Sequence, residues 1–86
     1  MMLQDYIFSD DGFSFLRKFR QRFDCMFRLE VPGGMLVMDE GDDAYKLPES
    51  MTTDEFKKLV GESISVGKNL VKLKCSKIEY VKGTVY

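Results

Sequence analysis

The chain has 86 residues and a mass of 10.0 kDa, which suits one domain and is too small for two hydrophobic cores. It is 44% hydrophobic and 31% charged, a balance that is typical of a folded globular domain and excludes a disordered polyelectrolyte. Histidine is absent from the sequence, which excludes Ser-His-Asp and Cys-His catalytic groups and imidazole-ligated metal sites. We therefore expect no catalysis, no cofactor and no metal site.

Targeting and cysteine patterns predict a protein of the cytoplasm. No apolar run in the sequence approaches the roughly 20 residues of a membrane-spanning helix. The first residues lack the basic and apolar regions of a secretion signal, so we expect neither export nor membrane association. Cys25 and Cys75 are the two cysteines and lie far apart in the sequence. We expect two buried, reduced thiols, with a single structural or redox disulfide as the alternative.

The first third of the chain predicts a helix followed by a strand. Residues 2–8 are rich in apolar side chains and predict a short opening strand or a docked arm. Ser9 offers a capping oxygen, and apolar residues then recur every three or four positions over residues 13–24, which predicts an amphipathic helix. The apolar period changes to two over residues 25–31, which predicts a half-buried strand. The expected buried stripe of the helix is Phe15, Leu16, Phe19 and Phe23.

Turn residues divide the next segment into two more short strands. Residues 32–34, Pro-Gly-Gly, predict a turn, and the apolar run 35–38 would pair back on the first strand as a hairpin. The acidic residues 39–43 predict a second turn, followed by a short strand over residues 44–47. These patterns together favour an antiparallel sheet.

A second helix has the clearest local signature in the chain. Thr52 at the N-cap and Glu55 three residues later form a capping box, and Met51 is placed to contact Phe56 as a hydrophobic staple. We expect this helix to end within residues 61–65. Its expected buried stripe is Phe56, Leu59, Val60 and Ile64.

The remaining residues, 70–86, predict strands, with a bulge near Ser76 and Lys77 where the alternation changes phase. The predicted fold class is therefore α+β. It is a single domain over residues 1–86, with two helices packed on one face of an antiparallel sheet of about four to five short strands.

Charge is distributed unevenly along the chain although its net charge is only −1. Residues 13–28 carry a net charge of +4, residues 39–55 carry −6, and residues 57–82 carry +5. Oppositely charged surfaces orient a protein partner and speed its association. The sequence therefore predicts a small non-catalytic protein-binding module of the regulator, adaptor or inhibitor type. The residues expected to bind the partner are Arg17, Lys18, Arg20, Arg22, Asp39, Glu40, Asp42 and Asp43.

Binding to nucleic acid is the alternative that the basic regions allow. Arginine and lysine side chains neutralise phosphates, and neighbouring aromatic rings stack on bases. Two observations weigh against it: the phenylalanines of the first helix are expected on its buried face, and the sequence pI is about 5.4. The residues that would contact nucleic acid are Arg17, Arg20 and Arg22 on the helix and Lys72, Lys74 and Lys77 on the C-terminal strand.

A third expectation concerns the methionines of the first hairpin. Met26, Met35 and Met38 are expected on the sheet face that the helices leave uncovered. An apolar face of this kind would bind a partner or a second copy of the chain, so a homodimer through it is a further expectation.

Overall fold

The computed structural model describes residues 2–30, 35–40 and 43–78, with side chains at residues 2–29, 36 and 44–77. These residues form four helices and one antiparallel sheet of four short strands. The helices are α1 (Leu3–Ile7), α2 (Asp10–Phe23), α3 (Thr53–Val66) and α4 (Leu70–Leu73). The strands are β1 (Met26–Glu30), β2 (Met35–Glu40), β3 (Asp43–Lys46) and β4 (Ser76–Ile78). Together they make a small α+β domain with a radius of gyration of 12.8 Å.

The sheet is a meander in which strand order follows sequence order, β1-β2-β3-β4, and each pair of neighbours is antiparallel. Its register pairs Phe27 with Met38 and Met38 with Tyr45, so these three positions belong to one face of the sheet.

Three helices cover that face. The rings of Phe19 in α2 and Phe56 in α3 lie 6.3 and 5.8 Å from the Phe27 ring. The Lys72 ammonium of α4 lies 4.9 Å from the centre of the Tyr45 ring. The core therefore sits between the helices and the Phe27 side of the sheet, and its fully buried apolar residues are Ile7, Leu16, Phe19, Phe56, Val60 and Val71.

The predicted architecture of two helices on a sheet of about four to five strands is wrong. Residues 2–8 contain α1 rather than an opening strand, and the segment from Leu70 to Leu73 is α4 rather than part of a strand. Both segments are too short for apolar periodicity to separate helix from strand. Tertiary packing decides their structure instead, because Ile7 and Val71 are both buried in the core. The apolar phase change near Ser76 marks the passage from α4 to β4 and not a bulge.

The prediction of the longer helices is confirmed. The Thr52 Oγ1 accepts a hydrogen bond from the Glu55 N–H at 3.2 Å and donates one to the Glu55 carboxylate at 3.1 Å. The helix continues to Val66, slightly beyond the predicted end, and Gly67 stops it in the left-handed conformation at φ 74°. Within the expected stripe, Phe56 and Val60 are buried, whereas Leu59 and Ile64 are half-buried.

The methionines do not share one face of the sheet as predicted. Position 38 pairs with Phe27 and therefore belongs to the helix-covered face of the sheet. Position 26 is next to Phe27 in β1, so it belongs to the opposite face, and position 35, which pairs with position 30, belongs to that opposite face as well. Because successive residues of a strand alternate between faces, Met35 and Met38, which are three positions apart, belong to opposite faces. The predicted turn at residues 32–34 lies outside the described residues.

Candidate functional site

Helix α2 carries the four basic residues predicted to bind a partner, and local interactions fix its two ends. At its start, the Ser9 Oγ accepts a hydrogen bond from the Gly12 N–H at 3.1 Å, and Asp10 and Asp11 place negative charge at the positive end of the helix dipole. At its end, Asp24 adopts the left-handed conformation at φ 47° and turns the chain directly into β1. The Phe19 ring of α2 lies 6.3 Å from the Phe27 ring of β1, so the helix packs on the strand that follows it.

The exposed side of α2 is divided into two flanks by helical geometry. Its buried residues are Gly12, Leu16 and Phe19. Residues three, four or seven positions apart share one side of a helix, which groups the exposed aromatic and basic residues in two sets. The Phe13 flank consists of Phe13, Arg17 and Arg20, and the Phe15 flank consists of Phe15, Lys18 and Arg22. The two flanks lie on roughly opposite sides of the helix, one at each border of the buried stripe, so the structure divides the four predicted basic residues of α2 into two pairs.

The Phe13 flank holds an arginine against an exposed aromatic ring. Phe13 is 54% exposed, and the Arg20 Cζ lies 4.2 Å from the centre of its ring. The Arg20 Nη2 also donates a hydrogen bond to the Phe13 carbonyl oxygen at 3.0 Å. Arg20 is therefore held by two contacts, while Arg17, one turn earlier, is exposed. This flank presents a ring and a guanidinium group in a fixed relative position.

The Phe15 flank gains a further basic residue from α3. Phe15 is 38% exposed and packs edge-on against the Tyr6 ring with 6.3 Å between the ring centres. The Lys57 ammonium lies 5.2 Å from the centre of the Tyr6 ring and 5.7 Å from that of Phe15. Nearer the helix end, the Arg22 Cζ lies 5.9 Å from the centre of the Phe23 ring. Lys57 thus extends the basic surface from α2 onto α3.

Phe13 and Phe15 were not predicted to be surface residues, and Lys57, although predicted to point outward, was not predicted to belong to this site. Phe15 was expected on the buried stripe, but it lies beside that stripe and is partly exposed. The signal that marks the true buried face is Gly12, because a glycine in the first turn lets another segment approach closely. With Gly12, Leu16 and Phe19 defining the face, Phe15 falls at its border.

The predicted acidic residues lie on a hairpin rather than together in a turn. Asp39 and Glu40 belong to β2, Asp43 begins β3, and Glu40 pairs with Asp43 in the register. Asp42 lies outside the described residues. The hairpin is at the end of the sheet where β1 begins, since Asp39 pairs with Met26.

The predicted lysine-rich strand is wrong, and its members lie away from α2. Lys72 belongs to α4 and its ammonium packs on the Tyr45 ring, Lys74 caps the end of α4, and Lys77 is in β4. Because β4 is at the opposite edge of the sheet from β1, these lysines and the α2 residues do not form one surface.

The thiols and carboxylates offer no metal site among the described residues. The structure contains no group of three or more cysteine, aspartate or glutamate side chains placed to hold a metal ion in that part of the chain. Cys25 is buried, Cys75 is half-buried, and the two are not joined in a disulfide. Burial raises the pKa of the Cys75 thiol from 9.0 to about 11, and its Sγ donates to the Val71 carbonyl oxygen at 3.2 Å. Cys75 is therefore protonated and a weak nucleophile at neutral pH.

In the same described ranges, no helix has the length and apolar character needed to cross a membrane. Comparison of the chain with protein-family models, with curated proteins and with solved structures found no match.

Proposed function

We propose that the protein is a small non-catalytic binding module that docks an acidic protein partner on the exposed surface of α2. The observation that supports this function is the exposed Phe13 ring with the Arg20 guanidinium held 4.2 Å from its centre. Aromatic and arginine side chains supply most of the binding energy in protein interfaces. Because Arg20 is already held by the Phe13 carbonyl oxygen, docking would cost less side-chain entropy than it would for a mobile arginine.

Charge defines the chemistry of the partner. The Phe13 flank contributes Arg17 and Arg20, and the Phe15 flank on the other side of the helix contributes Lys18 and Arg22, with Lys57 beside it. Asp10 and Asp11 lie in the first turn of α2, so positive charge increases toward the C-terminal end of the helix. A partner segment with aspartate or glutamate side chains and at least one apolar anchor would complement this surface, with its acidic groups toward Arg17 and Arg20.

The acidic hairpin is the second part of the proposed interface. Asp39, Glu40, Asp42 and Asp43 carry four negative charges within five positions of the sequence. A partner with a matching basic region would be oriented by the two opposite charges, which favours the regulator or adaptor type of function.

A capture experiment with charge-matched variants tests the proposal. Arg17→Glu/Arg20→Glu reverses two charges on the Phe13 flank, and Lys74→Glu/Lys77→Glu makes the same change in net charge at the opposite edge of the sheet. A partner bound through α2 should be retained by the wild-type protein and by the lysine variant, and lost by the arginine variant. Phe13→Ala should weaken its retention without a change in charge. Equal retention by all four proteins would overturn the assignment to α2.

Single-stranded nucleic acid is a second candidate, because Phe13 and Phe15 are exposed beside arginines rather than buried as expected. Base stacking on such rings and phosphate contacts to the guanidinium groups are the usual elements of this recognition. An electrophoretic shift assay with an oligothymidine strand at about 50 mM salt tests it, since phosphate contacts make affinity fall steeply with salt. A salt-dependent shift that Arg17→Glu/Arg20→Glu abolishes would favour this candidate over an acidic protein, and the absence of any shift would exclude it.

A further inference from the structure

A groove runs between α2 and α3, which lie side by side and point in the same direction. In the second turn of each helix, the Lys57 ammonium lies 5.7 Å from the centre of the Phe15 ring. At the other end, a Cβ on Gly67, which stops α3, would lie 3.3 Å from the Arg22 Nη2 in the last turn of α2. Early residues thus meet early residues and late residues meet late ones, so the two helices are parallel.

Gly61 keeps the middle of this groove open on the side of α3. It follows Lys57 by one helical turn and therefore lies on the same side of the helix. Gly61 is exposed, and nothing lies within 4 Å of the position that its Cβ would occupy. Glycine weakens the interior of a helix relative to alanine, and it permits the backbone of another segment to approach closely. Packing within the described fold does not require a glycine here, whereas close approach by a docked segment would.

The two walls of the groove combine apolar and basic side chains. Phe15 is 38% exposed on the α2 wall, and Ile64 is half-buried on the α3 wall, two turns after Lys57. Lys18 and Arg22 are exposed on the same flank as Phe15, so they continue the α2 wall. Lys57 is exposed on the opposite wall. A segment that complements this groove must carry an apolar stripe bordered by negatively charged side chains.

Charge also gives the groove a direction. Asp11 and Asp54 lie in the first turns of α2 and α3, on the sides that face the groove. Lys18 and Arg22 lie in the second half of α2, so the groove becomes more positive toward the ends of the two helices. An α-helix has partial positive charge at its N-terminus and favours acidic side chains there. A docked helix that is antiparallel to α2 and α3 would place such acidic side chains beside Lys18 and Arg22.

We propose that this groove binds an amphipathic helix of a partner protein, antiparallel to α2 and α3 and acidic in its N-terminal half. The apolar stripe of this helix packs on Phe15 and Ile64, and its closest approach is at Gly61. The groove goes beyond the surface proposed above, because the Phe13 flank lies at the other border of the buried stripe of α2. Binding in the groove therefore neither requires nor excludes a partner on the Phe13 flank.

Fluorescence anisotropy with a labelled synthetic peptide tests the groove. The probe has about 20 residues of leucine, alanine and glutamate and is held helical by a covalent staple, with leucines on one face and glutamates in its N-terminal half. Wild-type protein should bind it with a dissociation constant in the micromolar range at about 50 mM salt. Two control peptides should bind at least about fivefold more weakly: one has its glutamates in the C-terminal half, and the other has glutamine in place of glutamate.

Protein variants separate the groove from the Phe13 flank. Lys18→Glu/Lys57→Glu reverses one charge on each wall and should raise the dissociation constant of the probe at least about tenfold. Arg17→Glu/Arg20→Glu makes the same change in net charge on the Phe13 flank and should change that constant by less than about threefold. Gly61→Leu adds a side chain at the point of closest approach and should raise it about tenfold. Because leucine is a better helix former than glycine, a weaker helix would not explain this loss of binding.

Circular dichroism of each variant shows whether the fold is retained, which is expected because Lys18, Lys57 and Gly61 are exposed. A probe that does not bind wild type at about 1 mM protein would overturn the proposal. Equal binding by wild type and Gly61→Leu would overturn the groove as the site, and equal binding of the two glutamate arrangements would overturn the antiparallel orientation. Binding of oligothymidine in place of the probe, abolished by Lys18→Glu/Lys57→Glu, would assign the groove to nucleic acid and overturn the proposal. These outcomes are independent of the partner-capture experiment, which reports on the Phe13 flank.

Discussion

The corner between α1 and α2 and the corner between α3 and α4 are both held by a single serine hydroxyl. At the first corner, the Ser9 Oγ donates to the Tyr6 carbonyl oxygen at 2.6 Å and accepts from the Gly12 N–H at 3.1 Å. At the second, the Ser63 Oγ donates to the Leu59 carbonyl oxygen at 2.6 Å and accepts from the Leu70 N–H at 2.9 Å. Each hydroxyl thus joins a carbonyl of one helix to an amide of the next.

The two corners differ in range and in burial. Ser9 lies between its helices, three residues from each partner, and is partly exposed. Ser63 is fully buried within α3 and reaches seven residues forward to Leu70. The first corner is stabilised by contacts between residues close in sequence, including close backbone packing. The second corner depends on the Ser63 hydroxyl, which is buried and cannot exchange its hydrogen bonds for bonds to water. Substitutions at the two corners should therefore lower the stability of the fold for different reasons.

The largest effect is expected at Gly12, where α1 and α2 touch. A Cβ on Gly12 would overlap the Tyr6 carbonyl oxygen and lie 2.8 Å from its carbon, and both are backbone atoms that cannot move without α1. Gly12→Ala should lower the free energy of unfolding by about 3 kcal/mol. Gly61→Ala is the matched control, because nothing lies within 4 Å of its Cβ position in α3, and it should stabilise by about 0.5–1 kcal/mol. Denaturant titration of both variants measures the difference, and equal stability would contradict the close contact.

The second largest effect is expected at Ser63. Ser63→Ala leaves the Leu70 N–H without its acceptor in a buried position and should lower the free energy of unfolding by about 2 kcal/mol. Ser65→Ala, in the same helix at an exposed position, should change it by less than about 0.5 kcal/mol. If thermal unfolding gives both variants the same midpoint, the Ser63 hydroxyl does not hold the second corner.

A smaller effect is expected at Ser9. Ser9→Ala removes the N-cap of α2 and should lower the free energy of unfolding by about 1 kcal/mol, the usual cost of losing a capping side chain. Ser9→Asp keeps an acceptor for that N–H but loses the donor to Tyr6, so its stability should lie between those of wild type and Ser9→Ala. A Ser9→Asp protein less stable than Ser9→Ala would show that the bond to Tyr6 dominates this corner.

The smallest effect is expected in the pH dependence of the free energy of unfolding. It comes from Cys75, whose thiol contacts α4 near the second corner. The folded pKa of about 11 is above the ordinary value of 9.0, so the folded state favours the protonated thiol. The stability from this thiol is fully present below pH 9.0 and is lost as pH rises toward about 11. Cys75→Ala should lack this part of the decline when unfolding is followed from pH 7 to 11. A wild-type decline no steeper than that of Cys75→Ala would contradict the burial of the thiol.

The range of each interaction explains how much of the fold could be predicted. The start of α3 follows from Thr52 and Glu55, which act within one turn of the helix end, so the sequence pattern predicts it. The end at Gly67 lies beyond the predicted range of residues 61–65. Helix α4 depends on Ser63 and on burial of Val71, which no local pattern contains. For the same reason, the alternating residues around Val71 resembled a strand.

The candidate site was predictable in its charges and not in its aromatic residues. Arg17, Lys18 and Arg22 of α2 are exposed, as charge patterning indicated, because their charged groups are solvated, whereas Arg20 is half-buried. Phe15 packs against Tyr6 of α1, so its exposure depends on where α1 docks, and the close contact between Gly12 and Tyr6 fixes that docking. The local pattern of apolar residues does not contain this contact between helices.

The meander order of the sheet has a consequence for how the chain folds during its synthesis. The strands β1, β2 and β3 pair in sequence order, and their residues precede α3 in the chain. Short loops between such strands cost little entropy to close, so these pairings form early. Among the four strands that the structure describes, β4 must wait for α3 and α4, because both helices lie between it and its partner β3 in the chain. We therefore expect the first three strands and α2 to assemble while the ribosome is still adding the remainder, with β4 the last of these four to join.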